Sequence, residues 1–322
     1  YFEAFCLNSS FTMHNIENSP LHQFAEQFPL QYLEGQRGCR LAYRHCVHQP
    51  VADKLVILVN GRVENILKWT EIAQDFYAQG YDVLLFDHRG QGYSQRLLPD
   101  SEKGHLDEFR FYAQDMAKII ENLTALYPYA QQYLLAHSLG ALISTYYLAN
   151  FDHQIKRAVF SAPFLGMPLS HPIRDEIALN FMMLFGQGKR YVFGKGPYKP
   201  VDVQENLLSH DSMRMQRMNE INLANPEIRL GGPTFRWAYL CLIAIKHLPK
   251  ILPRIETPVL VLEAEQEQIV NNKTLEKLTA LFMHGSLKKI ARAKHEILFE
   301  TDNIRSPVLQ QIQAFFTSTH NA

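Results

Sequence analysis

Short apolar runs alternate with stretches whose apolar residues recur every three or four positions, and this alternation organises most of the chain. Residues 54–60 (KLVILVN) are a β-rich run that stops at Gly61. Residues 66–79 follow with Ile66, Trp69, Ile72, Ala73 and Phe76 on one helical face, and Gly80 supplies a C-terminal stop. Another apolar run, residues 81–86 (YDVLLF), comes next. The same reading predicts helices over 107–126, 139–150 and 306–317, and strands over 132–136, 155–161, 258–263 and 286–290. Near-continuous apolar strands separated by helices predict an α/β fold whose mostly parallel sheet is covered on both faces. Residues 28–47 have the character of an antiparallel hairpin at the edge of that sheet.

The alternation breaks between about residues 164 and 252, where the chain is helical, loop-broken and rich in methionine (Met182, Met183, Met213, Met215, Met218). Strands resume afterwards, so this stretch reads as an insertion over the carboxyl edge of the sheet, where α/β folds place their sites. The expected division is a core in two parts, 1–163 and 253–322, with a helical lid over 164–252 and a variable N-terminal segment over 1–30. The glycine-rich residues 186–196 (GQGKRYVFGKG) follow no strand and lack phosphate-loop spacing, so they read as a flexible lid loop.

Composition narrows the chemistry mainly by exclusion. The 322 residues carry 32 basic and 32 acidic side chains, which gives no net field for a nucleic-acid partner. Cys6, Cys39, Cys46 and Cys241 are scattered without a CxxC pair, and read as free thiols rather than disulfides or a zinc site. The longest strongly apolar run, residues 237–245, falls well short of the roughly 20 residues that cross a bilayer. No basic start followed by an apolar stretch is present, so no signal peptide is expected. The sequons at Asn8, Asn122 and Asn272 matter only on a glycosylating route, which nothing else supports.

Residues 133–145 read YLLAHSLGALIST. An apolar strand runs into Ser138 and a helix starts at Leu139, the geometry of a nucleophile elbow. Small residues are required two before and two after such a serine, and Ala136 and Gly140 meet the need with an alanine in place of the first glycine of GxSxG. Chain order then supplies partners. The elbow fold places an acid after a late strand and a histidine after the last one. Here residues 258–263 are followed by AEQEQ and residues 286–290 by ARAKHE. His295 is the expected general base, ahead of His88, His137, His247 and His284, whose places the order does not favour. Glu263, Glu265 and Glu267 crowd the acid loop, and Glu267 has the longest reach from the strand end. Oxyanion donors are expected from the backbone amides of Leu139 and Arg62, the latter in the loop that Gly61 opens. The Arg62 guanidinium itself reads as a solvated surface group. Asp87, His88 and Arg89 in FDHRGQGYS read as scaffold, because the triad has no need of them.

Taken together, the elbow, the DHRGQG loop and the late acid and histidine resemble the monoglyceride-lipase-like branch of the α/β-hydrolases, in which AHSxG replaces GxSxG. The motifs GRVEN at 61–65, GHLDEF at 104–109, GGPTFRW at 231–237 and HEILFE at 295–300 extend that resemblance to the bacterial lysophospholipases of the L-two type. It implies an inserted helical lid, a Ser138–Glu267–His295 triad and no cofactor or metal. It implies hydrolysis of the acyl ester of a lysophospholipid through an acyl-enzyme, by a cytoplasmic protein peripherally associated with the inner membrane. Monoacylglycerol hydrolysis or lipid acyl transfer uses the same triad and remains an alternative; a non-catalytic binding protein would need none of it. The insertion's apolar positions Ile177, Leu179, Phe181, Met182, Met183 and Phe185 suit an acyl chain, and Lys189, Arg190, Lys195 and Lys199 suit phosphate or a membrane surface.

Overall fold

A computed structural model describes residues 19–318. Cys6, Asn8 and most of the 1–30 segment lie outside the described residues. Eight strands make one sheet: β1 (Gln31–Glu34), β2 (Arg40–Cys46), β3 (Lys54–Val59), β4 (Asp82–Phe86), β5 (Gln131–His137), β6 (Ile155–Ser161), β7 (Val259–Ala264) and β8 (Gly285–Ile290). Their spatial order is β1-β2-β4-β3-β5-β6-β7-β8. The pairs β1/β2 and β2/β4 are antiparallel, and every pair from β4 through β3 to β8 is parallel. The hairpin of residues 28–47 is therefore present, seated at one end of a parallel core.

The helices, in chain order, are α1 (Pro20–Glu26), α2 (Ile66–Ala78), α3 (Arg110–Leu126), α4 (Leu139–Asn150), α5 (Pro172–Leu184), α6 (Ser212–Ala224), α7 (Phe235–Ile251), α8 (Leu275–Thr279) and α9 (Asp302–Thr317). Leu55 through Val59 are at most 1 % exposed, which explains why β3 reads as a continuous apolar run rather than an alternating one. Leu55, Ile57 and Val59 pack with residues of α3, α4 and α7, while Val56 and Leu58 pack with residues of α2 and α9 on the other face. Each such side chain contributes about 1.5–3 kcal/mol by leaving water, so the central strands hold most tightly where the site is anchored. Asn65 starts α2 by accepting a hydrogen bond from the Lys68 amide at 3.0 Å.

Three local differences from the sequence expectation have clear causes. Helix α3 starts at Arg110 rather than 107, because the residues before it pair with the GGPTFRW stretch: the Gly104 amide donates to Gly232 O at 3.0 Å and Thr234 N to Gly104 O at 2.7 Å. Helix α9 begins at Asp302, a turn before the expected start, with Pro307 inside it at the cost of a single backbone donor. Residues 186–196 are not a free loop. Their backbone is tied to 232–236 through Gly232 N to Gly196 O (2.7 Å), Val192 N to Pro233 O (2.9 Å), Phe235 N to Arg190 O (3.0 Å) and Arg236 N to Gly188 O (2.9 Å).

Between β6 and β7 the chain leaves the carboxyl edge of the sheet, forms α5 and α6, and returns through α7. That last helix packs against both α5 and α4 and buries Trp237, Cys241, Leu242 and Leu248 in the same layer as Leu139 and Leu142. It is at once part of the excursion and the crossover that a parallel β6/β7 pair requires. Among the described residues no helix is long and apolar enough to cross a membrane. Cys39, Cys46 and Cys241 are buried free thiols.

Candidate active site

Ser138 is the single residue between β5 and α4, with φ 49° and ψ −115°. An L-residue in that region is strained and must be held. Its amide donates to Ser161 O at 3.1 Å, and its carbonyl accepts from Ala141 N at 3.1 Å and Phe164 N at 3.0 Å. The turn is so close to β3 that a Cβ on Gly140 would lie 2.2 Å from Val59 O and 2.6 Å from Asn60 O. Both are backbone atoms, so the glycine is sterically enforced. Ala136 lies fully buried between Val59 and Phe160 on the neighbouring strands, with its methyl accommodated. The two glycines of GxSxG are thus unequal, and only the second is obligatory in this chain.

His295 lies beyond β8, with Nε2 3.1 Å from Ser138 Oγ and Nδ1 2.7 Å from Glu267 Oε2. Glu267, in the loop after β7, is fixed from the other side: its Oε1 accepts from the amides of Ile269 (2.7 Å) and Val270 (3.1 Å). Burial pushes its carboxyl upward, but His295 and the two amides outweigh burial and hold it below the usual carboxylate range. Of the three glutamates in this region, Glu267 reaches the histidine. Glu265 is exposed and accepts from Arg292 N at 2.8 Å, while Glu263 stays within β7. The rival histidines are engaged elsewhere or distant: His137 Nδ1 lies 3.0 Å from Ser161 O, His88 Nε2 3.0 Å from Asn60 O, and His247 is exposed.

The loop after β3 passes directly over the serine, since a Cβ on Gly61 would sit 3.2 Å from Ser138 Cβ. Among the described residues no acceptor takes up the amides of Arg62 or Leu139, so both remain available to a bound oxygen. The Arg62 guanidinium departs from the sequence expectation. It is half-buried over the Trp237 ring, 5.1 Å from its centroid, and donates to Gly231 O; burial lowers its pKa to about 10. The FDHRGQGYS side chains brace this loop. Asp87 accepts from Ile66 N (2.9 Å), Tyr93 N (2.8 Å) and Asn60 Nδ2 (3.2 Å), and Gln91 Nε2 donates to Gly61 O at 2.8 Å.

Sequence reasoning missed one feature, a buried polar cluster behind the serine. Lys68 Nζ donates to Glu64 Oε1 at 2.5 Å and Glu296 Oε2 at 2.7 Å, with His137 Nε2 3.8 Å from the latter. Glu64, His137 and Glu296 have the spacing of metal ligands, but the Lys68 ammonium already bridges the two carboxylates. Glu64 and Lys68 are four residues apart across the start of α2, and their third member lies 228 residues from Lys68, beyond the reach of any local pattern. The available signal was that Glu64 and Glu296 each lie in one of the motifs that carry the resemblance, GRVEN and HEILFE.

A parallel-cored sheet with hairpin edge, and a strained serine at the β5 corner facing a histidine and a carboxylate from later loops, define an α/β-hydrolase. The chain belongs to the family described as serine aminopeptidase, S33, whose model matches residues 50–302. It is 60 % identical over 303 residues to a Haemophilus influenzae protein described as probable lysophospholipase L2, covering 94 % of this chain and 96 % of that one. It is 34 % identical to the lysophospholipase L2 of Escherichia coli, covering 84 % and 82 %. Among solved structures, a soluble variant of monoglyceride lipase from Saccharomyces cerevisiae superposes with a TM-score of 0.69 at 20 % identity, covering 90 % and 95 % of the two chains.

Proposed function

We propose that the protein is a lysophospholipase in which Ser138 is the nucleophile, His295 the general base and acid, and Glu267 the group that orients His295. The chemistry rests on the hydrogen-bonded chain from Glu267 through His295 to Ser138. The substrate class rests on the nearly end-to-end, 60 % identical relative described as a probable lysophospholipase. Ser138 Oγ attacks the acyl carbonyl carbon while its proton passes to His295 Nε2. The resulting oxyanion takes hydrogen bonds from the amides of Leu139 and Arg62, each worth about 3–4 kcal/mol in the transition state. Collapse of the intermediate breaks the ester bond, and the departing glycerol oxygen takes the proton from His295. Water then gives a proton to His295 Nε2 and attacks the acyl-enzyme; as the bond from the acyl carbon to Ser138 Oγ breaks, His295 returns that proton to Oγ and the fatty acid leaves. Glu267 stays ionised throughout and stabilises the imidazolium.

Residues 164–252 act as the lid in this reading. Leu179 and Met182 are buried beneath α5, whereas Ile173, Ile177, Phe181, Leu184 and Phe185 are more than half exposed on it. Beyond its end stand the exposed side chains Lys189, Arg190, Lys195 and Lys199. An apolar face beside basic groups fits the interface of an anionic bilayer, and supports peripheral contact with the cytoplasmic side of the inner membrane. The deciding experiment is turnover of lysophosphatidylethanolamine and of monoacylglycerol, with and without an acceptor lipid, by wild type and Ser138→Ala. Faster hydrolysis of the lysophospholipid, abolished in the variant, is the expected result. Preference for monoacylglycerol or for acyl transfer would replace this reading with the corresponding alternative.

A further inference from the structure

We infer that Lys68 is a positioning residue for this reaction, tying the loop that presents the Arg62 amide to the loop that presents His295. The inference rests on the triad reading above. Two carboxylates converge on the Lys68 ammonium, and each belongs to a different side of the site. Glu64 uses Oε1 for Lys68 and Oε2 for the Gly61 amide, so it fixes the residue immediately before Arg62. Glu296 directly follows His295, and its own amide donates to Leu208 O at 2.8 Å. Lys68, Glu64 and Glu296 are each no more than 5 % exposed, and the ammonium also lies 4.3 Å from the centroid of the Phe299 ring. His137 completes the contact: its ring centroid is 4.8 Å from that of His295, and the residue after it is the nucleophile.

Stability alone is a poor account of this arrangement. A buried ion pair costs several kcal/mol in desolvation, and well-packed apolar residues of similar volume often replace one without loss. Apolar replacements would leave the Gly61 amide without its acceptor, in a loop so close to the nucleophile that a Cβ on Gly61 would lie 3.2 Å from Ser138 Cβ. The cluster joins two loops across 228 residues of sequence with one cation, which sets the distance between oxyanion donor and base. Loosening it displaces Arg62 N from the developing oxyanion without touching the surfaces that hold the acyl chain. A misplacement of about 1 Å costs on the order of 100-fold in rate. The loss should therefore fall on kcat and spare KM.

The test uses the full chain and counts active sites by prolonged exposure to a fluorophosphonate probe, so that kcat is expressed per reactive serine on lysophosphatidylethanolamine. In Lys68→Met, kcat per labelled site should fall about 30- to 100-fold with KM within about threefold of wild type. Glu64→Gln, which keeps an acceptor for Gly61 but weakens the tie, should fall less. Where Lys68→Met does not fold because two carboxylates are left facing each other, the charge-free variant Glu64→Gln/Lys68→Met/Glu296→Gln answers the question and should show the same loss. A merely structural role predicts fewer labelled sites with unchanged kcat in each, and kcat within twofold of wild type in the labelled variants overturns the inference. Failure of the triad reading looks different: Ser138→Ala would then retain turnover or label.

Discussion

Glu267 grips His295 at 2.7 Å through one carboxylate oxygen while two backbone amides, from Ile269 and Val270, fix the other. The imidazole is therefore oriented by a group that is itself immobilised. Glu267→Gln keeps the size but turns one oxygen into a donor, which favours the wrong tautomer of His295. The expected result is a fall in kcat of about 10⁴-fold with normal folding, read from steady-state kinetics beside a thermal melt. A loss below tenfold would remove Glu267 from its assigned role.

The elbow makes an unequal pair of predictions. Gly140→Ala drives a methyl to within 2.2 Å of the Val59 carbonyl, and the backbone has no room to yield. It should lower the melting temperature sharply or abolish folded expression. Ala136→Gly restores the full GxSxG pattern, yet should only destabilise, by about 0.5–1 kcal/mol, because glycine loses more freedom on folding within a strand. Its probe-labelled fraction and kcat should stay near those of wild type.

Burial sets a pH limit on stability. His88 and His45 are both lowered to about 4, first by loss of solvation, with Asn60 O and the Asp82 charge opposing only in part. Each folded value lies below the unfolded one, so the stability contribution is complete above about pH 6.5 and is lost as pH falls through about 4. For His88 the loss is on the order of 3 kcal/mol. Denaturant unfolding from pH 7 to pH 4 should show this decline, and His45→Gln should flatten part of it. An unchanged slope would mean that His45 is not neutral in the folded protein.

Helix α5 offers a separable test of membrane contact. Ile177 and Leu184 are 64 % and 81 % exposed, so replacing both with aspartate does not disturb a core. The double variant should bind phosphatidylglycerol vesicles at least about tenfold less well, since each side chain otherwise contributes about 1.5–3 kcal/mol on burial. Turnover of a short, water-soluble ester should be unaffected. Equal vesicle binding by wild type and variant would place the membrane contact elsewhere.

Much of this architecture was legible from local pattern. The strands β3 to β7 announced themselves because they are buried on both faces, and the order in which strands end pointed to Ser138, Glu267 and His295, which the fold brings within hydrogen-bonding distance. Among three glutamates within five residues, reach alone singled out Glu267, because the three differ only in where their backbone turns. The Arg62 guanidinium was misjudged because its partners are remote in sequence: Gly231 lies 169 residues further along the chain, with Trp237 just beyond it. Lys68 was invisible, since a lysine in the first turn of a helix is ordinarily in water and its partners Glu64 and Glu296 lie outside that helix. Such placements depend on long-range packing, which periodicity does not encode.

Helix α7 has one more consequence, for how a substrate gets in. Because it is built into the same layer as α4, the proposed lid has no second free end about which to swing. Any opening must come from the chain between Ala162 and Thr234, and residues 186–196 are already laced to 232–236. Arg214 and Arg217 further tie α6 to Glu71 and Asp302 of the core. In the lid reading proposed above, movement is thereby narrowed to α5 and its flanks, and the entrance would work as a flap hinged along one side rather than as a detachable cover.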